Sequence, residues 1–156
     1  MRDWAVLAGF LVLCFAVAGV GGMWTASSVG PWYQALQKPP FNPPGWVFGP
    51  VWTVLYAMMA VAAWLVWRKA GFAGAAVPLA VFAVQLALNL AWSGLFFGLR
   101  QLGWAFADIV LLWIAIAATI AAFACVSAPA AWLIAPYLAW VSFASLLNFR
   151  IWTLNR

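Results

Sequence analysis

Five long apolar stretches, separated by short polar breaks, dominate the pattern of the chain. They cover residues 4–26, 46–67, 77–99, 103–126 and 130–152. Each is close to the roughly 20 residues that an α-helix needs to cross a bilayer. Backbone groups in hydrocarbon must be hydrogen-bonded within such a segment, which favours helices. The pattern therefore predicts an all-α integral membrane protein, in which residues 1–156 form a single domain built as a bundle of five transmembrane helices.

The connection between the first two segments is long and has the composition of a structured loop. Residues 27–45 contain apolar side chains such as Trp32, Tyr33 and Phe41 among several prolines, and one charge, Lys38. Long loops in compact proteins are usually functional or disordered, and this one carries apolar anchors. It predicts a lid over a binding site. Because five crossings place the termini on opposite sides, this loop and the C-terminus are expected on the same side.

The third segment has a polar face. Gln85, Asn89 and Ser93 recur at intervals of four residues and so lie along one side of a helix. Polar groups at membrane depth usually face the bundle interior or a cavity. This face predicts the wall of an interior pocket, and the alternative is a set of interhelical hydrogen bonds without a ligand.

The opposite face of the same segment is small and smooth. Its residues are offset by two positions, about 200° around the helix, from the polar ones. Small residues at this spacing allow helices to approach closely. The face predicts a contact with another helix, either in the same chain or in a second protomer, and we interpret it as a homodimer surface made of Ala83, Ala87, Ala91, Gly94 and Gly98.

Composition and charge exclude several classes of function. The chain is 69% hydrophobic and 6% charged, whereas soluble domains carry about 25% charged residues. Seven scattered basic residues give a net charge of +5 without the basic stripe of a nucleic-acid-binding protein, so the lipid bilayer is the expected partner and nucleic acid is not. The chain has no histidine, which excludes His-ligated metals and haem and His-based acid–base catalysis. No metal site is predicted.

Two further groups suggest chemistry inside the membrane. Asp108 is the only acidic residue besides Asp3. It is expected to pair with Arg100 or with a neighbouring helix, and a proton-relay role is the alternative.

Several aromatic residues lie inside the helices, where an interfacial belt does not explain them. Trp92 is expected to donate its buried indole N–H to Asn89 or to a ligand. A flat aromatic slot is expected from Trp52, Tyr56, Trp92 and Trp140.

Four stretches of the chain resemble a known family. Residues 32–56, WYQALQKPPFNPPGWVFGPVWTVLY, are similar to the first motif of the tryptophan-rich sensory protein and translocator protein family (TspO/MBR, the peripheral-type benzodiazepine receptors). Residues 85–97 (QLALNLAWSGLFF), 108–113 (DIVLLW) and 136–152 (PYLAWVSFASLLNFRIW) match further stretches in the same order. The resemblance covers essentially the whole chain.

The resemblance implies a five-helix bundle, often dimeric, with a pocket capped by the first loop. Family members bind porphyrins such as protoporphyrin IX and haem, isoquinoline carboxamide and benzodiazepine ligands and, in animals, cholesterol. Some bacterial members degrade protoporphyrin IX in light. Porphyrin is therefore expected as a ligand or substrate, with no obligatory cofactor. The short C-terminal tail and the motif variants favour a bacterial origin and leave open which membrane holds the protein.

The resemblance, together with the aromatic slot, also implies site residues. The ligand-binding set is Tyr33, Trp52, Tyr56, Asn89, Trp92, Ser93, Trp140 and Ala144, in which Trp52 and Trp140 would be catalytic if the protein is an enzyme. The sterol-recognition segment maps to Leu147, Asn148, Phe149 and Arg150. Phe149 stands where that motif has a tyrosine, and Thr153 stands where it has a basic residue. Lys38, Arg100 or Arg150 would meet the propionates of a porphyrin.

These expectations lead to three hypotheses. The first is a membrane receptor that binds porphyrins and related flat hydrophobic ligands and regulates tetrapyrrole metabolism or a stress response. The second is a light- and oxygen-dependent porphyrin-degrading enzyme. The third is a sterol or lipid translocator.

Overall fold

The computed structural model describes residues 2–156, and in this range every regular element is a helix. The helices are α1 (Arg2–Ser28), α2 (Pro31–Ala35), α3 (Phe48–Gly74), α4 (Ala76–Ser93), α5 (Leu102–Ala124) and α6 (Ala128–Leu154). A 3₁₀ turn, Gly45–Val47, leads into α3, and a π-helical turn, Gly94–Gly98, extends α4. Every α-helix except the short α2, taken together with any adjoining turn, is long and apolar enough to cross a membrane. The predicted all-α bundle of five membrane helices is confirmed.

The third helix continues further than the sequence pattern suggested. The apolar stretch ends at Trp67, before Arg68 and Lys69, but α3 runs to Gly74 with a break at Gly71, where φ is 70° and ψ is 174°. Arg68 and Lys69 are exposed. Long basic side chains at the end of a membrane helix extend toward the headgroups, so a charged pair there does not require the helix to stop.

Most of the core of the bundle lies in the half that is far from the loop between α1 and α3, and a smaller buried cluster lies under that loop. In the far half, Phe82 of α4 stacks on Phe123 of α5, with ring centroids 5.9 Å apart, and Ile116, Ile134 and Val141 are fully buried. Helix α5 packs between α4 and α6, and α6 packs against α3. Helix α1 is peripheral, because only Cys14, Gly21 and Ser28 of its residues are buried. The other half of the bundle is therefore less tightly filled.

Helix α1 is attached at both ends. At its start, the Trp64 indole donates a hydrogen bond to the Asp3 carbonyl over 2.9 Å. Near its end, the Trp24 ring packs against Gly94 and Gly98, where a Cβ atom would lie 3.3 Å from the ring. These two members of the predicted dimer surface thus make a contact within the chain, while Ala83, Ala87 and Ala91 are exposed.

The lid, residues 29–44, folds over the less tightly packed half. Trp32 lies edge-on to Phe96 and Phe97, with ring centroids 6.0 and 6.4 Å away. The Gln37 backbone N–H donates to Asn155 Oδ1 over 2.9 Å, and Asn155 Nδ2 donates to the Gln37 carbonyl over 2.8 Å. The lid and the C-terminal end of α6 are therefore on the same side, as expected.

Candidate functional site

A cavity of about 460 Å³ lies under the lid, between α1, α3, α4 with its π turn, and α6. Its volume falls within the roughly 300–1,000 Å³ of small-molecule sites. Every residue of the predicted ligand-binding set lines it: Tyr33, Trp52, Tyr56, Asn89, Trp92, Ser93, Trp140 and Ala144. The structure thus brings together residues from the lid and from three helices.

The floor of the cavity is a hydrogen-bonded group centred on Asn89. The Tyr56 hydroxyl donates to Asn89 Oδ1 over 2.7 Å, and Asn89 Nδ2 donates to the Tyr137 hydroxyl over 2.5 Å. All three side chains are buried. The polar face of α4 was expected to line a pocket as a whole, but Gln85 is absent from the wall. It lies one turn deeper than Asn89, outside the floor, and its Nε2 donates to Met59 Sδ over 3.7 Å.

The indole of Trp92 has a different partner from the one expected. Its Nε1 donates to Asn148 Oδ1 over 2.8 Å, and Asn148 Nδ2 donates to the Leu102 carbonyl over 3.0 Å. The expected acceptor, Asn89, is occupied by Tyr56. Asn148 therefore anchors one wall of the cavity to the start of α5.

The predicted sterol segment divides between two faces of α6. Leu147 and Asn148 line the cavity. Phe149 and Arg150 are exposed, and the Phe149 ring packs against Phe106, with centroids 5.3 Å apart. The segment does not form one continuous binding surface, because consecutive residues of a helix lie about 100° apart.

The cavity aromatics form a corner rather than a flat slot. The Trp52 and Trp140 rings are 6.4 Å apart and perpendicular, and Trp52 is tilted by 36° to Tyr56. Edge-to-face contacts of this kind are a preferred geometry of aromatic pairs. The expectation of a flat slot was therefore wrong. The Trp140 Nε1 atom is buried and has no hydrogen-bond partner within residues 2–156, so the ring and not its N–H faces the cavity.

Comparison with known proteins identifies the family of the chain. A model of the TspO/MBR family matches residues 10–153. The chain belongs to the TspO/MBR family. It is similar to the translocator protein of Bos taurus, with 44% identity over 155 residues that cover 98% of this chain and 92% of that protein. It is also similar to the tryptophan-rich protein TspO of Chlorobaculum tepidum, with 48% identity over 147 residues, or 92% and 91% of the two chains.

A third relative is the tryptophan-rich sensory protein of Cereibacter sphaeroides, 40% identical over 153 residues, which cover 98% of this chain and 93% of that protein. Family membership and five membrane-spanning helices establish an integral membrane protein. The TspO/MBR relatives include mammalian and bacterial proteins, so they do not decide between such origins, and the expected bacterial origin remains a prediction.

No charged side chain lines the cavity of this TspO/MBR member in the part of the chain described, residues 2–156. Of the three basic groups expected at its mouth, Lys38 is adjacent, with Nζ 4.7 Å from the centroid of the Tyr33 ring. Burial raises the pKa of Tyr33, so this phenol stays neutral near pH 7. Arg150 is exposed on α6.

Arg100 and Asp108 do not pair with each other. Arg100 Nε donates to Ser28 Oγ over 3.2 Å, and its guanidinium lies 5.4 Å from the centroid of the Trp32 ring. Arg100 has a φ of 57°, in the turn after the π-helical segment, so its side chain is directed to α1 and the lid. Asp108 is buried, and within residues 2–156 its Oδ2 atom has no hydrogen-bond partner. The expected ion pair with Arg100 is therefore wrong.

The contribution of α1 to the site was missed from the sequence. Ala18, Gly22 and Ala26 of α1 line the cavity. They recur at intervals of four residues, the same small-residue pattern that identified a contact face on α4. A Cβ atom on Gly21 would lie 3.0 Å from Ser93 Oγ, so this glycine lets α1 approach α4. The pattern in α1 was the available signal.

Proposed function

We propose that this protein is a membrane receptor for flat, largely apolar small molecules, with porphyrins such as protoporphyrin IX as the ligand class. Through this binding it would regulate tetrapyrrole metabolism or a stress response. The observation that supports the proposal most directly is the 460 Å³ cavity. It combines aromatic walls with few polar groups, as small-molecule sites do, and lies inside a membrane protein, where apolar ligands concentrate.

The polar groups at the cavity fit an apolar ring with acidic substituents. The ring would lie in the corner between Trp52 and Trp140. The Ser93 hydroxyl on the α4 wall of the cavity would donate to an acceptor on the ligand. A carboxylate would remain at the lid, where Lys38 can contact it, because burying an unpaired charge in an uncharged cavity is costly. With no histidine in the chain, a metal-free porphyrin or bilin fits better than haem.

Titration of the purified protein in nanodiscs tests the proposal. Saturable quenching of tryptophan fluorescence by protoporphyrin IX is expected. Trp140→Phe should weaken binding about threefold, since it removes part of the aromatic wall against which the ring packs, a contact worth about 0.5–1 kcal/mol. Trp113→Phe is the matched control, because Trp113 is exposed on α5 and does not line the cavity.

The two carboxylates can be tested with a second ligand. Lys38→Ala should weaken binding of protoporphyrin IX but not of its dimethyl ester, which carries no charge for Lys38 to meet. Absence of saturable binding to the wild type, or equal losses in Trp140→Phe and Trp113→Phe, would contradict the receptor proposal.

A second candidate is light- and oxygen-dependent porphyrin breakdown. Trp52 and Trp140 favour it, since two oxidisable indoles line one cavity with ring centroids 6.4 Å apart. Illumination of the porphyrin complex in air should then give a defined product. The enzyme hypothesis fails if Trp52→Phe and Trp140→Phe leave the yield of that product unchanged.

Sterol translocation and dimerisation are the remaining proposals. The printed name translocator protein belongs to relatives of this chain. The outward position of Phe149 and Arg150 disfavours sterol binding through residues 147–150. Tight binding of cholesterol to the wild type, with no improvement in Phe149→Tyr, would restore the sterol hypothesis. The exposed residues of the small face of α4 support a homodimer: Ala83, Ala87 and Ala91.

A further inference from the structure

The exposed parts of the cavity wall lie along one side of the site, on α1, on α3 and on the chain segments at their lid-side ends. On α1, at the first lid residue, and at the start of α3 with its preceding 3₁₀ turn, the exposed lining residues are Phe15, Gly22, Ala26, Val29, Gly45, Gly49 and Thr53. The lining residues of the rest of the lid, α4, the π turn and α6 are buried or half-buried. The cavity therefore opens between α1 and α3, and in a membrane this gap faces lipid.

The gap exists because the side chains beside it are small. Gly22 and Ala26 stand on the α1 side, and Gly49 and Thr53 stand on the α3 side. A Cβ atom built on Gly22 or Gly49 would have no neighbouring atom within 4 Å. At the deep end, the Phe15 ring closes the gap against Tyr56, with ring centroids 6.4 Å apart.

The edges of the gap are compatible with hydrocarbon. Thr53 Oγ1 donates to the Gly49 carbonyl over 2.8 Å, and Thr25 Oγ1 donates to the Gly21 carbonyl over 2.9 Å. Hydroxyls bonded within their own helix present mainly their methyl groups to the surroundings, and unsatisfied polar groups are costly in the bilayer core. An apolar molecule can therefore pass these edges without stripping water from them.

The route to water is closed by contrast. The lid packs through Trp32 onto Phe96 and Phe97, and Gln37 is bonded to Asn155 by two hydrogen bonds.

The depth of the gap in the membrane follows from its position on α1. Gly22 lies six residues before the end of α1, which is about 9 Å along a helix. The gap therefore lies in the lid-side part of the membrane, where hydrocarbon gives way to headgroups.

We propose that ligands exchange between the bilayer and the cavity through this gap, the portal formed by Gly22, Ala26, Gly49 and Thr53, and not past the lid. The proposal rests on the receptor function above. An amphiphilic ligand would enter with its apolar ring first, while its acidic groups stay at headgroup level. The lid then retains the ligand and the portal sets the rate of exchange.

Stopped-flow transfer of protoporphyrin IX between phosphatidylcholine vesicles and proteoliposomes tests the portal. The double variant Gly22→Leu/Gly49→Leu should lower the association and dissociation rates together, each about tenfold, with a smaller change in Kd, because a barrier on the path affects both directions equally. Ala26→Leu and Thr53→Leu at the other two portal positions should slow exchange in the same direction.

Two controls separate the portal from the lid. Gly19→Leu places the same side chain at an exposed position of α1 with open space around it and outside the cavity wall, and it should leave the rates unchanged. Asn155→Ala loosens the lid and should also leave exchange with the bilayer unchanged. Normal rates in all portal variants, or faster exchange in Asn155→Ala, would overturn the portal. Wild-type protein that binds no porphyrin at equilibrium would instead overturn the receptor function.

Discussion

Asn89 connects three helices through one side chain. Its side-chain amide is part of the cavity floor, where it accepts a hydrogen bond from Tyr56 of α3 and donates one to Tyr137 of α6. Because both of its polar atoms are used, Asn89 shapes the site chiefly by fixing where the two phenols lie. A ligand would instead meet the Ser93 hydroxyl, which lies one turn along α4 from Asn89 on the cavity wall.

Removing Asn89 should destabilise the bundle. Asn89→Leu leaves two buried hydroxyls without their partner, and we expect a loss of about 1–2 kcal/mol of unfolding free energy, in the range measured for buried polar groups and interhelical bonds. Tyr56→Phe should lose less, because only one bond disappears. Unfolding in mixed detergent micelles measures both. Ser93→Ala should be nearly neutral, because the Ser93 hydroxyl has no hydrogen-bond partner among residues 2–156. An equal loss there would contradict the role of Asn89.

At the scale of helices, the break in α3 depends on one glycine. Gly71 has φ 70° and ψ 174°, a conformation that is essentially restricted to glycine. It lets the chain turn so that Phe72 packs against Trp67, with ring centroids 5.7 Å apart. The end of α3 is therefore set by backbone conformation and not by its charged residues.

Gly71→Ala should cost about 1–3 kcal/mol of unfolding free energy because of this strain. The same substitution at Gly19, a helical position of α1 with open space around it, should stabilise the protein by up to about 1 kcal/mol because alanine favours helix. Thermal unfolding of the two variants in the same detergent compares them. Changes of the same sign would show that the break at Gly71 carries no strain for alanine.

The outward face of α4 makes a prediction about the proposed homodimer. Ala87 lies between Ala83 and Ala91 on an exposed surface, and a bulky side chain there would separate two closely packed helices. Ala87→Trp should lower the dimer fraction, weakening association about tenfold or more, as overpacking costs about 1–3 kcal/mol. Native mass spectrometry measures the fraction. Leu111→Trp, at an exposed position of α5, should leave it unchanged, and a dimer that tolerates Ala87→Trp would use another face.

At the scale of the whole molecule, the two halves of the bundle differ in packing. The half far from the lid holds most of the fully buried core, and the lid half holds the cavity beside a smaller buried cluster of Phe96, Ala105 and Ile151. The lid is fastened to the far end of the chain by the hydrogen bonds between Gln37 and Asn155. Stability and ligand access are therefore located in different parts of one small bundle.

Asn155→Asp should loosen the lid without affecting the core. The substitution removes the Nδ2 donor and places a carboxylate beside the Gln37 carbonyl. Amide exchange of residues 36–42 should become about tenfold faster, while exchange around Ile116 stays unchanged, since local openings draw on local contacts. Hydrogen-exchange mass spectrometry resolves the two regions. Thr153→Val is the control, because its hydroxyl bonds to the Arg150 carbonyl of its own helix. Equal effects of the two substitutions would show that Asn155 does not fasten the lid.

The features that follow from chain-local patterns could be predicted from the sequence. Helix number follows from apolar length, and Asn89 and Ser93 follow from a four-residue spacing. The partner of Trp92 could not be predicted, because the choice between Asn89 and Asn148 depends on how α4 and α6 are rotated against each other. The separation of Arg100 from Asp108 depends on the π-helical turn and the positive φ of Arg100, which no periodic pattern indicates.

The uncharged wall of the cavity has an electrical consequence. Moving one elementary charge across a membrane potential changes its energy by about 2.3 kcal/mol per 100 mV. A neutral ring that enters the uncharged cavity of residues 2–156, with its acids left at the headgroups, moves almost no charge through that field. Occupancy should then be the same in energised and de-energised membranes, so the proposed receptor would report the concentration of its ligand and not the voltage of the cell.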